Sequence, residues 1–246
     1  HNLSNVNVEE RHRLLKTAIK RENEKLPASS PPIQIIDSTD FLNHLNNINI
    51  DQRFHNSRYQ LIVKSEAHYI VFDIDKRDGK KSLIALDAAN DVRGLLLGHK
   101  AERSNYNIIF LSGFSWDPLS NLQKDVESCS LFAFDHCIQL SHTDPEFHTQ
   151  IAKKASKSHT LVWDELPPNF IWNAQSTEIL EKYQKKMQDN PALDEVMHNG
   201  LSYRQYIALG VCTYPIIKGL LVTRNESVNI HTLKEMRGEL NLEERE

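Results

Sequence analysis

The chain has 246 residues, with 29 Lys and Arg against 33 Asp and Glu, which gives a formal net charge of −4 and a pI near 6.3. This balance argues against a nucleic-acid-binding protein, because such proteins carry excess basic charge. Three cysteines in a chain of this length predict a reducing compartment rather than a disulfide framework. The most apolar stretch, from Tyr206 to Val222, contains Pro215 and Lys218, so no membrane span is predicted.

Hydrophobic periodicity predicts a chain of mixed helices and strands. Residues 6–25 predict a helix with one apolar and one basic face, ended by the Pro/Ser linker at 26–32. The other predicted helices are 39–45, 92–103, 146–156, 176–188 and 203–209. The predicted strands are 33–36, 59–63, 68–74, 81–86 and 106–111, with a strand pair within 216–228.

Cys129 is predicted to begin a further helix. It follows a polar, turn-prone stretch, and the apolar residues after it, among them Leu131, Phe132 and Phe134, have helical spacing. At a helix N-terminus the free N–H groups and the positive end of the macrodipole favour a thiolate over a thiol. Cys129 is therefore the candidate nucleophile, whereas Cys137 and Cys212 are interpreted as structural.

His68 and Asp87 are the candidate partners of this thiol. Two β-rich runs with a short polar break between them predict a hairpin in which His68 begins the second strand, and Asp87 follows the next strand. Asp87 would orient the imidazole and His68 would serve as base, as nucleophile–base–orienter chemistry requires. Asp73 and Asp75 are rival orienting acids. They rank lower because strand alternation places Asp73 on the opposite face and Asp75 too far along the strand.

Gln123 precedes Cys129 with five residues between them, in the loop before the predicted helix. Its side-chain amide could donate to the oxyanion that develops when the thiolate attacks an acyl group. A Cys, a His, an acid and an amide donor are the parts of a thiol acyl-transfer site. No metal is predicted.

This ordered set resembles the YopJ family of bacterial effector acyltransferases, whose fold is that of the CE clan of adenain-type and SUMO-type cysteine proteases. The shared features are His68 with Asp87 nineteen residues later, and Gln-x5-Cys at Gln123 and Cys129. The segment LPPNFIWNAQSTEILEKY (166–183) is a weaker echo of a family motif. It has Trp172 and Asn173 where the family commonly has a Lys-His pair.

The resemblance implies an α+β fold, with a central mixed sheet flanked by helices as catalytic core and a mainly helical regulatory lobe. Residues 33–160 would form the core, and 1–32 with 161–246 the accessory region. It also implies acetyl-CoA as acyl donor and inositol hexakisphosphate as allosteric activator. Arg58, which matches a family arginine, is the candidate phosphate ligand.

As a family member, the protein would be secreted by a Gram-negative bacterium into the host cytoplasm. There it would acetylate Ser, Thr or Lys side chains of host proteins, with signalling kinases as candidate partners. Two alternatives stay open. The same triad would serve a CE-clan cysteine protease or a ubiquitin-like-protein protease, and the chain could be a pseudoenzyme that only binds host proteins. The regulatory lobe would carry basic residues on the first helix and in the C-terminal third.

Overall fold

The structure is a computed structural model that describes residues 7–46, 51–111, 121–125, 128–155, 160–197 and 200–212. The helices are, in chain order, α1 (Val8–Lys25), α2 (Phe41–Asn46), α3 (Val92–Glu102), α4 (Cys129–Ser141), α5 (Phe147–Lys154), α6 (Thr177–Lys186) and α7 (Tyr203–Cys212). The strands are β1 (Gln34–Asp37), β2 (Arg58–Ser65), β3 (His68–Asp75), β4 (Ser82–Leu86), β5 (Asn107–Leu111) and β6 (Thr160–Leu161). Within these ranges no helix has both the length and the apolar character that crossing a membrane requires.

The six strands form one mixed sheet in the order β1-β2-β3-β4-β5-β6. The hairpin β2–β3 and the pair β3–β4 are antiparallel. The other neighbouring strands are parallel: β1 with β2, β4 with β5, and β5 with β6. Parallel neighbours need a crossover connection. Helix α2 lies between β1 and β2 in the chain, and α3 lies between β4 and β5, so the helices supply these connections.

Side chains on both faces of the sheet are buried. Along β3, Ile70, Phe72 and Ile74 belong to the apolar cluster that includes residues of α2 and α3, whereas Tyr69 and Val71 belong to the cluster that includes residues of α1, α4, α5 and α6. This division follows from the alternation of side chains along a strand. It explains why β3 lacks the apolar–polar alternation of a half-exposed strand and is buried at all eight positions.

Helix α1 packs into the same cluster as α4. Asn7 caps its N-terminus by accepting a hydrogen bond from the backbone N–H of Glu10 at 2.7 Å. Its buried residues recur at helical spacing and are Leu14, Leu15, Ala18 and Ile19. Arg13, Lys16 and Lys20 are exposed. The accessory region that the sequence predicts, residues 1–32 and 161–246, therefore shares one hydrophobic cluster with the predicted core through α1 and α6.

A buried ion pair joins the β2–β3 hairpin to the C-terminus of α4. The Arg58 guanidinium lies 2.5 Å from the carboxylate of Asp73, which is wholly buried, and also donates to the backbone carbonyls of Leu140 and Asp144 at 3.1 and 2.9 Å. Burial alone would raise the pKa of Asp73, but His148 and Arg58 outweigh it and lower that pKa. A cation at the last carbonyls also suits the negative end of the helix dipole.

The predicted architecture is confirmed: a mixed sheet flanked by helices, with the hairpin in the expected place. Strand β6 was not predicted, because two residues carry no periodicity. The strand pair expected within 216–228 lies outside the described residues.

We expect Asp73→Ala to lower the free energy of unfolding by about 3–5 kcal/mol, because it leaves the Arg58 charge buried without a partner. Asp73→Asn retains an acceptor and should lose less. Urea unfolding followed by circular dichroism measures both variants. Asp51→Ala is the control, since the Asp51–Arg53 pair is exposed at 42% and 40% and should leave the unfolding midpoint nearly unchanged. Equal midpoints for all three variants would contradict the structural role of Asp73.

Candidate active site

His68 and Asp87 form a buried pair at the end of the sheet. His68 Nε2 lies 3.0 Å from each carboxylate oxygen of Asp87, and the two residues are 7% and 3% exposed. Register brings them together: the last paired residues of β3 and β4 are Val71 and Leu86, and His68 and Asp87 extend beyond that pair on one side of the sheet. This is the contact that the sequence predicts between base and orienting acid.

Backbone groups hold the Asp87 carboxylate in place. Oδ1 accepts a hydrogen bond from the N–H of Ala89 at 3.0 Å, and Oδ2 accepts one from the N–H of Asp91 at 3.2 Å. The following helix α3 passes so close that a Cβ on Gly94 would lie 2.9 Å from Asp87 Oδ2. Gly94 therefore provides the space in which the carboxylate faces His68.

Cys129 is the first residue of α4, as the sequence predicts, and is 7% exposed. In its thiol form Cys129 donates to the backbone carbonyl of Ala67 at 3.3 Å, and a hydrogen bond with Cys129 is among the influences on the pKa of His68. Since Nε2 of His68 faces Asp87, the other ring nitrogen, Nδ1, is the one available to the sulfur. The order acid, imidazole and thiol is that of a Cys-His-Asp arrangement.

Charge at the site favours an imidazolium. Burial alone would lower the pKa of His68, but the hydrogen bonds and charges of Asp87 and Cys129 outweigh burial and raise that pKa to about 10. Protonated His68 would therefore persist through neutral pH beside the sulfur. An imidazolium next to the sulfur stabilises a thiolate, the nucleophilic form of cysteine.

The rival acids and cysteines have other roles. Asp73 pairs with Arg58, and Asp75 accepts from the guanidinium of Arg77 at 2.8 Å. Cys137 is fully buried, and this burial raises the pKa of its thiol well above its ordinary value. The side chain of Cys212 lies outside the described residues. Among those residues, no group of three or more His, Cys, Asp and Glu side chains is arranged to hold a metal ion.

Gln123 lies in the loop before α4 and is 5% exposed. Its backbone N–H donates to the carbonyl of Ala88 at 2.9 Å, which ties the loop to the segment after Asp87. Its side-chain amide donates to the backbone carbonyl of Asp125 at 2.7 Å. An amide nitrogen carries two protons, so this contact leaves one donor for a second acceptor.

Arg58 lies away from these four residues. Its donors are directed at Asp73, at the hydroxyl of Thr143, at the carbonyl of Leu140 in α4 and at the carbonyls of Thr143 and Asp144 just after it. Its side chain is 9% exposed. A guanidinium whose N–H groups already hydrogen-bond to acceptors of the protein has no donor left to bind a phosphate. We therefore interpret Arg58 as a structural residue rather than the phosphate ligand that the sequence suggests.

Several residues at the site were not predicted. These residues are Ala67, Gly94, Asp125, Ser128 and Gln175. Their contacts join segments far apart in the chain, and no local pattern marks them. Gln175 alone had a signal, since it lies in the 166–183 segment that echoes a family motif. In that segment Trp172 packs edge-on against Tyr206, and Asn173 donates to Asp135 at 2.8 Å.

Comparison with known proteins identifies a family. The model of the family described as YopJ Serine/Threonine acetyltransferase matches residues 6–205, which include all four site residues. No curated protein matches the chain.

Two solved structures share the fold. One, described as "AvrA delL154 with IP6, CoA", has a TM-score of 0.62 and 15% identity, covering 92% of this chain and 89% of that one. The other, a crystal structure of HopZ1a in complex with IP6, has a TM-score of 0.59 and 14% identity, covering 95% and 87%. The predicted fold is thereby confirmed.

We expect Gly94→Ala to lower the pKa of His68 by about one unit, or about 1.4 kcal/mol, because the new methyl group pushes the Asp87 carboxylate away from the imidazole. NMR titration of the imidazole measures this pKa. Stability should not fall in parallel, since Ala favours a helix over Gly by about 1 kcal/mol. Val92→Ala, an exposed change on the same helix, is the control. An unchanged His68 pKa in Gly94→Ala would show that the close approach of α3 does not position Asp87.

Proposed function

Because the chain belongs to the YopJ Serine/Threonine acetyltransferase family, we propose that it moves an acetyl group from acetyl-CoA through a thioester on Cys129 to side chains of other proteins. The observation that carries this proposal is the buried His68–Asp87 pair beside a cysteine that begins α4. Serine and threonine hydroxyls are the acceptors that the family name gives, and a lysine amine is a further candidate.

In the first half-reaction the Cys129 thiolate attacks the thioester carbonyl of acetyl-CoA. A carbon–sulfur bond forms, and the carbonyl electron pair moves onto oxygen. When this oxyanion collapses, the bond to the coenzyme A sulfur breaks, and the leaving thiolate takes the proton of the His68 imidazolium. The products are free coenzyme A, acetyl-Cys129 and neutral His68.

In the second half-reaction neutral His68 acts as general base. It takes the proton of the acceptor hydroxyl or amine while that group attacks the acetyl carbon, and Cys129 leaves as thiolate. Acylation prepares this step. Asp87 and Cys129 both raise the pKa of His68, and the contribution of the Cys129 charge is lost once the sulfur is acylated. Release of the acetyl group restores the thiolate and the imidazolium.

Two donors are suited to the oxyanion of both half-reactions. One is the Gln123 amide, which has a proton beyond the one donated to Asp125. The other is the backbone N–H of Cys129, which at the start of α4 has no acceptor within the helix. Removal of one such donor costs about 10²–10³ in rate in a well-studied protease.

The basic face of α1 is suited to the activator, inositol hexakisphosphate. The compound is bound in the AvrA and HopZ1a structures, as their descriptions state. Arg13, Lys16 and Lys20 are exposed and spaced three and four residues apart, so they project from one side of α1. Ammonium and guanidinium groups are the usual ligands of phosphate. We propose that Arg13, Lys16 and Lys20 contribute to the binding site of inositol hexakisphosphate. Residues 1–32 and 161–246 would act as the regulatory region.

Helix α1 also contacts the neighbourhood of the nucleophile. His12 Nδ1 lies 2.8 Å from the hydroxyl of Tyr69, the residue next to His68, and the two rings stack with centroids 5.9 Å apart. A ligand that binds the basic face would stabilise the helix that makes this contact, by mass action. This supports a role for α1 in regulation.

Family membership also supports the setting of the reaction. The substrates would be proteins of a host cell, with signalling kinases among the candidates, and the enzyme would be an effector delivered by a Gram-negative bacterium into the host cytoplasm. Hydrolysis of a peptide or isopeptide bond is the competing activity, because the same thiol and imidazole would serve it when water is the acceptor.

We expect the native chain, incubated with acetyl-CoA and inositol hexakisphosphate, to gain one or more acetyl groups by intact-protein mass spectrometry. Cys129→Ala should gain none and His68→Asn almost none, because nucleophile and base are lost. Asp87→Asn should retain a small fraction, since it leaves the imidazole present but poorly oriented. Omission of the inositol phosphate tests the activator.

Cys137→Ala is the matched control and should acetylate like the native chain, because Cys137 is a buried cysteine on the same helix. Absence of acetyl on the native chain in both conditions, together with cleavage of a ubiquitin-like substrate, would replace transfer by hydrolysis. Acetylation of Cys129→Ala at the native rate would rule out the thioester.

We expect the rate of Cys129 alkylation by iodoacetamide to stay high in the native chain as pH falls from 9 to 6. The raised pKa of His68 keeps its proton throughout this interval, so the imidazolium supports the thiolate and is lost only as pH rises through about 10. In His68→Asn the rate should fall more steeply as pH is lowered, because no imidazolium then stabilises the thiolate. Labelling is read by peptide mass spectrometry. Parallel pH profiles would contradict an ion pair.

A further inference from the structure

The side-chain amide of Gln175 holds the loop that leads to Cys129. We call residues 121–125 the approach loop. Oε1 of Gln175 accepts hydrogen bonds from the backbone N–H groups of Lys124 and Asp125, at 2.6 and 3.1 Å. Nε2 donates to the carboxylate of Asp125 at 2.7 Å, and the backbone N–H of Gln175 donates to the carbonyl of Leu122, also at 2.7 Å. Gln175 itself is 5% exposed, whereas its partners Lys124 and Asp125 are exposed residues.

Asp125 passes this restraint to the start of α4. Its Oδ1 accepts from the backbone N–H of Ser128 and its Oδ2 from the Ser128 hydroxyl, both at 2.7 Å. Nε2 of Gln175 also lies 3.3 Å from that hydroxyl oxygen. Ser128 is the residue immediately before Cys129, so the orientation of the first turn of α4 depends on the Asp125 carboxylate.

Asp125 passes the restraint in the other direction as well. Its backbone carbonyl is the acceptor of the Gln123 amide at 2.7 Å. The two groups suited to the oxyanion, the Gln123 amide and the N–H of Cys129, are thus held by a single residue, and Gln175 fixes that residue by its backbone and its carboxylate. A buried amide that binds a backbone N–H through oxygen and a carboxylate through nitrogen has only one satisfactory orientation.

We propose that Gln175 is a positioning residue for acyl transfer, which acts through Asp125 to fix the Gln123 amide and the start of α4 where the oxyanion forms. This rests on the proposed function of Cys129 as an acyl carrier. Gln175 touches neither substrate nor the reacting atoms. We expect its loss to loosen the oxyanion donors more than the contacts of Cys129 with His68 and Ala67, since those contacts do not involve Gln175.

Two reactions of the Cys129 sulfur distinguish loss of the oxyanion donors from loss of thiol reactivity. Acetyl transfer passes through an oxyanion, whereas alkylation by iodoacetamide displaces iodide in one step and forms none. Gln175→Ala should therefore lower kcat for acetyl transfer by about 10²-fold, the usual cost of a misplaced donor. The KM for acetyl-CoA and the rate of Cys129 alkylation at pH 7 should change little.

Gln175→Glu sharpens the test. A charged Glu at this position retains the acceptor but loses the donor to Asp125 and places a second carboxylate beside that of Asp125. A protonated Glu regains the donor. The rate of acetyl transfer by Gln175→Glu, relative to the native chain, should therefore rise as pH falls from 8 to 6. Gln139→Ala is the matched control. This half-buried amide contacts Asp135 and Asn169 beside the same helix but not the approach loop, and its loss should leave kcat unchanged.

Equal losses of alkylation and acetyl transfer in Gln175→Ala, with a lower Tm, would mean a purely structural role and overturn the proposal. Unchanged kcat would also overturn it. The acylation of Cys129 by p-nitrophenyl acetate makes the test independent of the acyl donor. A native chain that reacts with this ester but not with acetyl-CoA overturns the proposed function alone, and the ester reaction rate of Gln175→Ala then decides the role of Gln175.

Discussion

The antiparallel pairing of β3 with β4 is the constraint on which the candidate site depends. Their pairing ends with Val71 opposite Leu86, and beyond this pair the two chains separate. β3 continues back to His68 at the hairpin turn, while the chain after β4 turns at Asp87 and presents the N–H groups of Ala89 and Asp91 to the carboxylate. A slip of one residue would move one member of the His–Asp pair to the other face of the sheet.

Helix α4 is fixed at both ends by groups that suit its dipole. Cys129 occupies the positive N-terminal end, where a thiolate is stabilised, and Arg58 occupies the negative C-terminal end, where it donates to the carbonyl of Leu140. Since Arg58 also pairs with Asp73 of β3, the strand that begins with His68 is tied to the far end of the helix that begins with Cys129. Cys129 and His68 therefore begin two elements that are also joined to each other through Arg58.

Local patterns predicted the parts of this arrangement that are local. The hairpin, the start of α4 at Cys129 and the positions of His68 and Asp87 follow from periodicity and motif spacing. The support of these residues could not be predicted, because it joins distant segments. Gln175 reaches a loop some fifty residues earlier in the chain, and Gly94 matters only because α3 crosses Asp87. The contacts of Arg58 could not be predicted for the same reason: its acceptors at Leu140 and Thr143 come from a helix end that no pattern near β2 reveals.

A second group of side chains shows why geometry alone does not define the site. Ser82 Oγ lies 2.8 Å from His148 Nδ1, and His148 Nε2 lies 3.4 Å from Asp73, which is the sequence of groups in a serine nucleophile, base and acid. The charge of Asp73, however, is already shared with Arg58 and with the amide of Gln60. Ser82 begins a strand rather than a helix, so no helix N-terminus stabilises an anion on its oxygen. Asp87 instead hydrogen-bonds to neutral backbone N–H groups and to His68, which leaves its charge to hold a proton on the imidazole beside Cys129. The two pairs therefore differ in their partners: an arginine hydrogen-bonds to Asp73, whereas Asp87 bonds to His68 and to backbone N–H groups.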